Sequence, residues 1–324
     1  MKNILITGGT GFIGSHLAEF LVKKNFKVTV LDRYNPNNNW GNLENSKYKK
    51  DIKVILGDIR DYDSVKKSLK NIDTIFHLAA LIGIPYSYIS PLAYIKTNIE
   101  GTYNVLEAAK EKNIDQIIVT STSETYGSAE TVPMNENHPL KAQSPYAASK
   151  ISADQIALSY FNSFNQNIKI VRPFNTYGPR QSDRAVIPTI ISQLLSKNKN
   201  LILGNIKPTR DYTFVEDLCE AFFEISINKN LFGQVTNVGC NEEISIENIA
   251  KLIMKKIKIK KKIILSTERK RILSSEVSRL ICDNSKLIKN TNWKKRTSLD
   301  KGLAKTINWI KKNKEFFKTR NYNL

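Results

Sequence analysis

Ile4-Leu5-Ile6-Thr7-Gly8-Gly9-Thr10-Gly11-Phe12-Ile13-Gly14 is the stretch from which the rest of the chain can be organised. The apolar run reads as a buried strand that stops at Gly8, and a helix starts near Phe12. A glycine turn between them cradles a dinucleotide pyrophosphate. Glycines let the backbone approach the phosphates, and the helix N-terminus offers unpaired N–H groups. Gly8, Gly11, Phe12, Ile13 and Gly14 are therefore cofactor-contact candidates. The spacing is Gly-x-x-Gly-x-x-Gly, not the Gly-x-Gly-x-x-Gly of the common dehydrogenase pattern. Alone it is a weak signal. It gains force from Ser121-Thr122-Ser123-Glu124 and Tyr146-Ala147-Ala148-Ser149-Lys150 downstream.

Outward from that turn, apolar runs alternate with amphipathic ones. Strands are expected at Asn3–Thr7, Lys27–Leu31, Lys53–Leu56, Thr74–His77, Gln116–Thr120 and Ile168–Val171. Helices are expected around Phe12–Lys24, Ser64–Leu69, Ile95–Lys112 and Tyr146–Phe164. This alternation predicts an α/β fold, a doubly wound parallel sheet with ligands at the carboxyl ends of its strands. After Arg172 the pattern changes to helices at Ala185–Ser196, Glu216–Ile227, Ser245–Lys255 and Leu299–Lys311. Residues 1–172 are read as a dinucleotide-binding domain and 173–324 as mainly a smaller substrate-binding cap. A segment near 213–228 is expected to return to the first domain. Asn35–Lys50 reads as a polar loop.

Asp32 ends the second strand, and a carboxylate there accepts hydrogen bonds from a ribose 2′-hydroxyl and repels a 2′-phosphate. That favours NAD over NADP. Asp58, with Ile59, ends the third strand and either contacts the adenine or holds a turn. Leu78-Ala79-Ala80 ends the fourth with small residues, as close passage of a cofactor requires, and His77 beside them reads as a structural hydrogen-bonder. Tyr146 and Lys150 are four apart and share one helix face. Ser144 is placed to cap that helix and Pro145 suits its first turn. A phenol titrating near 10 is a poor base at neutral pH, and a nearby ammonium favours its phenolate form.

Composition removes several alternatives. The chain has 324 residues, 41% hydrophobic and 25% charged. No apolar run approaches the roughly 20 residues that cross a bilayer, so a cytoplasmic protein with no membrane partner is expected. The net charge of +20 raises the question of nucleic acid. Lysine and asparagine, however, are spread throughout, and Lys255-Lys256 through Lys260-Lys261-Lys262 alternates with isoleucine without stacking aromatics. It reads as a solvated face rather than a nucleic-acid site. Cys219, Cys240 and Cys282 lie far apart, and His16, His77 and His138 lack ligand spacing, so no metal or disulfide framework is expected.

With these residues in place, the chain resembles the extended short-chain dehydrogenase/reductases, in their NAD-dependent epimerase/dehydratase branch. The resemblance implies a Rossmann domain holding NAD and a catalytic set of Thr122, Tyr146 and Lys150. Further matching pieces are Asn98 ahead of Gly101-Thr102, Arg172-Pro173-Phe174-Asn175-Thr176-Tyr177-Gly178-Pro179-Arg180 and Arg210-Asp211-Tyr212-Thr213-Phe214. It implies that Asn98 helps hold the cofactor. It also implies that Asn175, Arg180, Arg210 and, by position, Arg271 hold the sugar nucleotide, arginine being suited to bidentate contact with phosphate. Relatives usually follow the last of these with proline, where this chain has Ile272. The family is commonly a homodimer through two helices, here Ile95–Lys112 and Tyr146–Phe164.

Glu124 separates the reactions that this family performs. A C4 epimerase removes and returns a hydride and needs no additional carboxylate. A 4,6-dehydratase must also take the C5 proton and expel the C6 hydroxyl. Thr122-Ser123-Glu124 resembles the triplet of GDP-mannose and nucleotide N-acetylhexosamine dehydratases. If the strand stays extended there, Thr122 and Glu124 share a side and Ser123 faces the other. The wording from Thr120 to Gly127, with Asn135-Glu136-Asn137-His138-Pro139-Leu140, most resembles the 4,6-dehydratases of legionaminic acid biosynthesis, a nonulosonic acid route. Those act on UDP- or GDP-N-acetylglucosamine. UDP-glucuronate decarboxylase and a sugar-nucleotide C4 epimerase are the alternatives. A non-enzymatic Rossmann sensor would fit a chain that had lost Tyr146 or Lys150.

Overall fold

The computed structural model describes residues 2–267, 269 and 273–314, without the Leu273 side chain. Strands β1 (Asn3–Thr7), β2 (Lys27–Asp32), β3 (Ile52–Leu56), β4 (Thr74–His77), β5 (Gln116–Thr120) and β6 (Ile168–Pro173) lie parallel in one sheet with a seventh, Gln234–Val238. The spatial order is 7-6-5-4-1-2-3. The order reverses between β1 and β4, where a doubly wound sheet opens its ligand crevice.

Both faces of the sheet are covered, which is why its strands read as almost unbroken apolar runs. Ile4 and Ile6 join Val28, Val30 and Phe76 on one side, under helix α1 (Phe12–Lys23) and helix Val215–Ile227. Phe222 of the latter meets Phe76, and Phe223 meets Phe20. Leu5 joins Leu31, Ile75, Ile117 and Val119 on the other, beneath α2 (Tyr62–Ser68), Gly101–Glu111 and Pro145–Phe164.

Two departures from the sequence reading have physical causes. The seventh strand was not expected because Gln234-Val235-Thr236-Asn237-Val238 is half polar. Its Asn237 is nevertheless fully buried, accepting from the Tyr126 hydroxyl at 2.8 Å and donating to the Met134 carbonyl at 3.2 Å. The expected Ile95–Lys112 helix is a π-helical turn, Ile95–Glu100, that leads into Gly101–Glu111. Two short helices precede it, Ile84–Ile89 and Pro91–Tyr94, each with proline in its first turn.

Beyond β6 the chain makes small sheets that lean on the same crevice. Asn175–Tyr177 pairs with Tyr212–Phe214, and Thr209–Arg210 lies between Ile244–Ser245 and Arg279–Leu280. The lysine-rich stretch is the end of helix Ile246–Ile257 followed by strand Lys262–Leu265. Lys255, Lys258, Lys260 and Lys262 are exposed while Ile253 and Ile257 are buried. Among the described residues, no helix is long and apolar enough to cross a membrane.

Candidate active site

The crevice is built first from glycines. Gly8 takes φ +71°, and a Cβ on it would stand 2.9 Å from the backbone of Ala79. A Cβ on Gly14 would stand 2.3 Å from the Gly8 carbonyl oxygen. Gly11 caps α1, just ahead of Phe12 and Ile13, with extended backbone and no side-chain hydrogen bond. Its first N–H groups therefore face the turn without a side-chain acceptor. A side chain on Gly8 or Gly14 would close the cradle that a pyrophosphate needs, so the residues present fit a dinucleotide. Asp32 braces the turn from β2, accepting from the Thr10 N–H at 2.9 Å and the Thr10 hydroxyl at 2.5 Å. The polar loop after it is anchored rather than loose. Leu43 is fully buried, and Asn42 donates twice to the Thr10 carbonyl, at 3.1 Å each.

Asp58 is gripped by Arg60, whose Nε and Nη2 donate to it at 3.0 and 2.6 Å, and this pair holds its carboxyl below the usual range. Ile59, next in sequence, is buried against Gly101. His77 is fixed between two threonines, with the Thr7 hydroxyl 2.8 Å from Nδ1 and the Thr102 hydroxyl 3.0 Å from Nε2. Burial drives its pKa down to about 3, with the charge of Lys150 adding to the effect. Since Thr102 donates to the Asn98 carbonyl at 2.6 Å, the neutral ring carries its proton on Nε2. The same Thr7 hydroxyl accepts from the Ala79 N–H at 3.2 Å. Leu78, Ala79 and Ala80 thus follow β4 along the crevice. The Asn98 amide, expected at the cofactor, holds both backbone groups of Leu81, at 2.8 and 2.9 Å, and the Ser149 hydroxyl at 2.9 Å. It ties the crevice wall to the helix that carries Tyr146, from within a π turn of the kind often found at functional sites.

Helix Pro145–Phe164 is capped as its sequence requires, with Ser144 Oγ accepting from the Ala147 N–H at 3.1 Å. Tyr146 and Lys150 are both buried on its inner face. Burial pushes the Tyr146 phenol well above its ordinary range. A hydrogen bond with Thr122 pulls it down, and the carboxylate of Glu124 pushes it up. Thr122 is thus the hydrogen-bond partner of Tyr146, and the carboxylate of Glu124 lies close enough to act on the phenol through its charge. Tyr94 closes the other side, edge-on to Tyr146 with ring centroids 6.2 Å apart. Lys150 donates to the Thr120 carbonyl at 2.6 Å, and burial lowers its pKa.

The extended alternation expected for Thr122-Ser123-Glu124 is not what forms. The strand stops at Thr120, and Ser123–Tyr126 is a 3-10 turn capped by the Thr122 hydroxyl, which accepts from the Glu124 N–H at 3.3 Å. A turn does not alternate its side chains, so the argument that set Ser123 on the opposite side does not apply. Ser123 is buried.

Asn175, expected at the substrate, pairs in register with Tyr212, two residues beyond Arg210. Asn175 Oδ1 is buried without a hydrogen-bond partner among the described residues. Arg210 is buried, donates to the Thr209 carbonyl at 2.8 Å and lies 3.6 Å from Glu276. Arg180, expected at the substrate, instead pairs with Glu19 of α1 at 2.8 Å and donates to the Ser15 hydroxyl at 3.2 Å. Arg271 lies outside the described residues. The segment after it is clasped to the sheet side, since Gln143 donates to the Ser274 carbonyl at 3.0 Å and Tyr88 hydrogen-bonds the Ser275 hydroxyl at 2.5 Å.

Sequence reasoning missed one cluster. Asp154, one turn beyond Lys150 on the same helix, is fully buried. It accepts from the Ser121 hydroxyl at 2.5 Å and from Arg172 at 2.9 Å. The Arg172 guanidinium also lies 4.6 Å from the Tyr126 ring centroid. The fourth-residue spacing of Tyr146, Lys150 and Asp154 was the available signal.

Residues 5–306 match the family described as GDP-mannose 4,6 dehydratase. The chain belongs to that family. It is 34% identical over 324 residues to an Arabidopsis thaliana trifunctional UDP-glucose 4,6-dehydratase/UDP-4-keto-6-deoxy-D-glucose 3,5-epimerase/UDP-4-keto-L-rhamnose-reductase, covering 98% of this chain and 48% of that protein. The chain thus spans about half the length of that relative. It is 31% identical to human dTDP-D-glucose 4,6-dehydratase, over 96% of this chain and 91% of that one. Among solved structures it is similar to DesIV, a dTDP-glucose 4,6-dehydratase from Streptomyces venezuelae with NAD bound, with TM-score 0.87, 26% identity and coverage of 98% and 99%. It is also similar to the UDP-N-acetylglucosamine 4-epimerase of Methanobrevibacter ruminantium M1, with TM-score 0.85, 28% identity and coverage of 96% and 99%. The family therefore holds dehydratases and epimerases on one Rossmann-like α/β frame.

Proposed function

We propose that the chain is an NAD-dependent sugar-nucleotide 4,6-dehydratase acting on UDP- or GDP-N-acetylglucosamine in nonulosonic acid biosynthesis. The observation that carries this reading is a carboxylate, Glu124, set by the turn that Thr122 caps after β5 and close enough for its charge to act on Tyr146. An epimerase has no use for that carboxylate. The glycine turn, with Asp32 at the ribose, would hold NAD, which when bound accepts the hydride from C4 and returns it to C6. Tyr146, steered by Thr122 and with Lys150 one turn along its helix, takes the C4 hydroxyl proton. The ketone acidifies C5, and Glu124 removes that proton. Ser123 or the protonated Glu124 assists the water leaving from C6. Asn175 and Arg210 would grip the nucleotide diphosphate, joined by Arg271.

The test is mass spectrometry of the sugar nucleotide after incubation of purified protein with UDP- and GDP-N-acetylglucosamine in D2O, with no NAD added. Loss of one water with deuterium retained at C5 is expected. Glu124→Gln should abolish water loss while leaving NAD bound, and unchanged turnover removes Glu124 from the mechanism. A C4 epimerase is the second reading, favoured by the likeness to the M. ruminantium enzyme. It would show isomerisation without water loss, and carbon dioxide release from UDP-glucuronate would mark a decarboxylase.

A homodimer belongs to the same proposal. Ile89, Leu92, Ile95 and Tyr103 are exposed along the helices beside the one bearing Tyr146, and Phe164 is exposed at that helix's end. A second copy would cover this stripe. Light scattering that returns a monomer mass at micromolar concentration would rule it out.

A further inference from the structure

The mechanism leaves one buried ionisable cluster unused, and it adjoins the catalytic lysine. Lys150 and Asp154 are four apart on one helix, and successive residues at the end of β5 hold them. Lys150 Nζ donates to the Thr120 carbonyl at 2.6 Å, and the Ser121 hydroxyl donates to Asp154 Oδ2 at 2.5 Å. Both side chains are buried. Arg172 reaches the same Oδ2 at 2.9 Å, whereas Oδ1 has no hydrogen-bond partner among the described residues. A fully buried carboxylate with an unpartnered oxygen is costly unless it offsets charge elsewhere.

We propose that Asp154 is the counter-charge that keeps Lys150 an ammonium, a positioning residue that acts on the site through that lysine. The proposal rests on the reading of Tyr146 and Lys150 as the proton-transferring pair. The other groups around the lysine cannot do this job. His77 of β4 is neutral near pH 7, and its ring is shared between Thr7 and Thr102. Glu124 and Tyr94 act on Tyr146, and Arg172 of β6 is a cation. Burial alone drives Lys150 toward the neutral amine, and the charge of Asp154 opposes it. Arg172 in turn pairs with Asp154 at 2.9 Å. Arg172, Asp154 and Lys150 thus form a line of alternating charge from β6 through the helix to the site.

The test titrates the lysine itself. In protein grown with carbon-13-labelled lysine, the ε-carbon resonance of Lys150, identified by its absence in Lys150→Arg, is followed against pH in the resting protein. Asp154→Asn should move its midpoint down by about one pH unit or more, and Asp154→Glu should restore it. Should Asp154→Asn not fold, the pair Asp154→Asn with Arg172→Gln leaves no unpaired guanidinium and should shift the midpoint in the same direction. An unmoved midpoint, with only the melting temperature changed, makes Asp154 a structural residue and overturns the proposal. No substrate is needed, so a failed water-loss assay and a failed titration are separate results.

Discussion

Two buried aspartates divide the molecule. Asp154 on the sheet side is held by a cation and a hydroxyl, Arg172 and Ser121. Asp211, in the short strands beyond β6, is equally buried. It is held by backbone amides, accepting from Cys240 at 2.8 Å, Asn241 at 2.8 Å and Cys282 at 3.2 Å. Burial pushes the Asp211 pKa up to about 6 against those amides. A full positive charge offsets the desolvation of a carboxylate, whereas amide dipoles do so only in part. The cluster beside the site should therefore be intolerant of losing its cation, and the Asp211 cluster should respond to pH.

Arg172→Met breaks the first half of the comparison. It leaves Asp154 buried without the cation that hydrogen-bonds it and removes the contact with Tyr126. The expected cost is about 3 to 5 kcal/mol, or roughly 4 to 7 °C in melting temperature by calorimetry. A loss no larger than a surface substitution would mean that the arginine does not offset the buried charge of Asp154 and that the two aspartates do not differ.

The second half is tested by pH. Asp211 titrates near 6 in the folded protein against an ordinary 3.8. Between those values the unfolded chain has released the proton while the folded one keeps it. Stability from this group is therefore full below about 4 and is lost as pH rises to 6, by an amount on the order of 3 kcal/mol. Urea unfolding at a series of pH values should show that this decline is missing in Asp211→Asn. The variant also starts from a lower stability, because an amide nitrogen now faces backbone N–H donors. Parallel curves for the two proteins would take Asp211 out of the pH response.

The same contrast explains what could be read from the chain. The glycine turn, the first six strands and the Tyr146 helix are each written in contiguous residues with short-range signals. Gly8 and Gly14 are glycine because nothing else fits, and Ser144-Pro145 starts a helix wherever it is placed. The partners of Asp211 lie at Cys240, Asn241 and Cys282, and those of Asn237 at Tyr126 and Met134. No local period announces contacts across such separations. The setting of Arg180 was hidden for a related reason: the residue takes φ +69° and its guanidinium pairs with Glu19, far away in sequence. The candidate site itself was legible by residue type, whereas the 3-10 turn at Ser123–Tyr126 was not, because capping by Thr122 overrode the extended strand.

Ser121→Ala makes the smallest change and gives the finest test of the comparison. The hydroxyl donates to Asp154 Oδ2 and accepts from Arg172 Nε at 3.2 Å, so it joins both members of the pair without carrying charge. Removing it leaves the Arg172–Asp154 contact at 2.9 Å intact. The cost should be that of one charge-assisted hydrogen bond, about 1 to 2 kcal/mol, and clearly less than that of Arg172→Met. If charge compensation governs this cluster, the order must be arginine first and serine second. A serine effect equal to the arginine effect would make the site side hydrogen-bond-held like the Asp211 cluster.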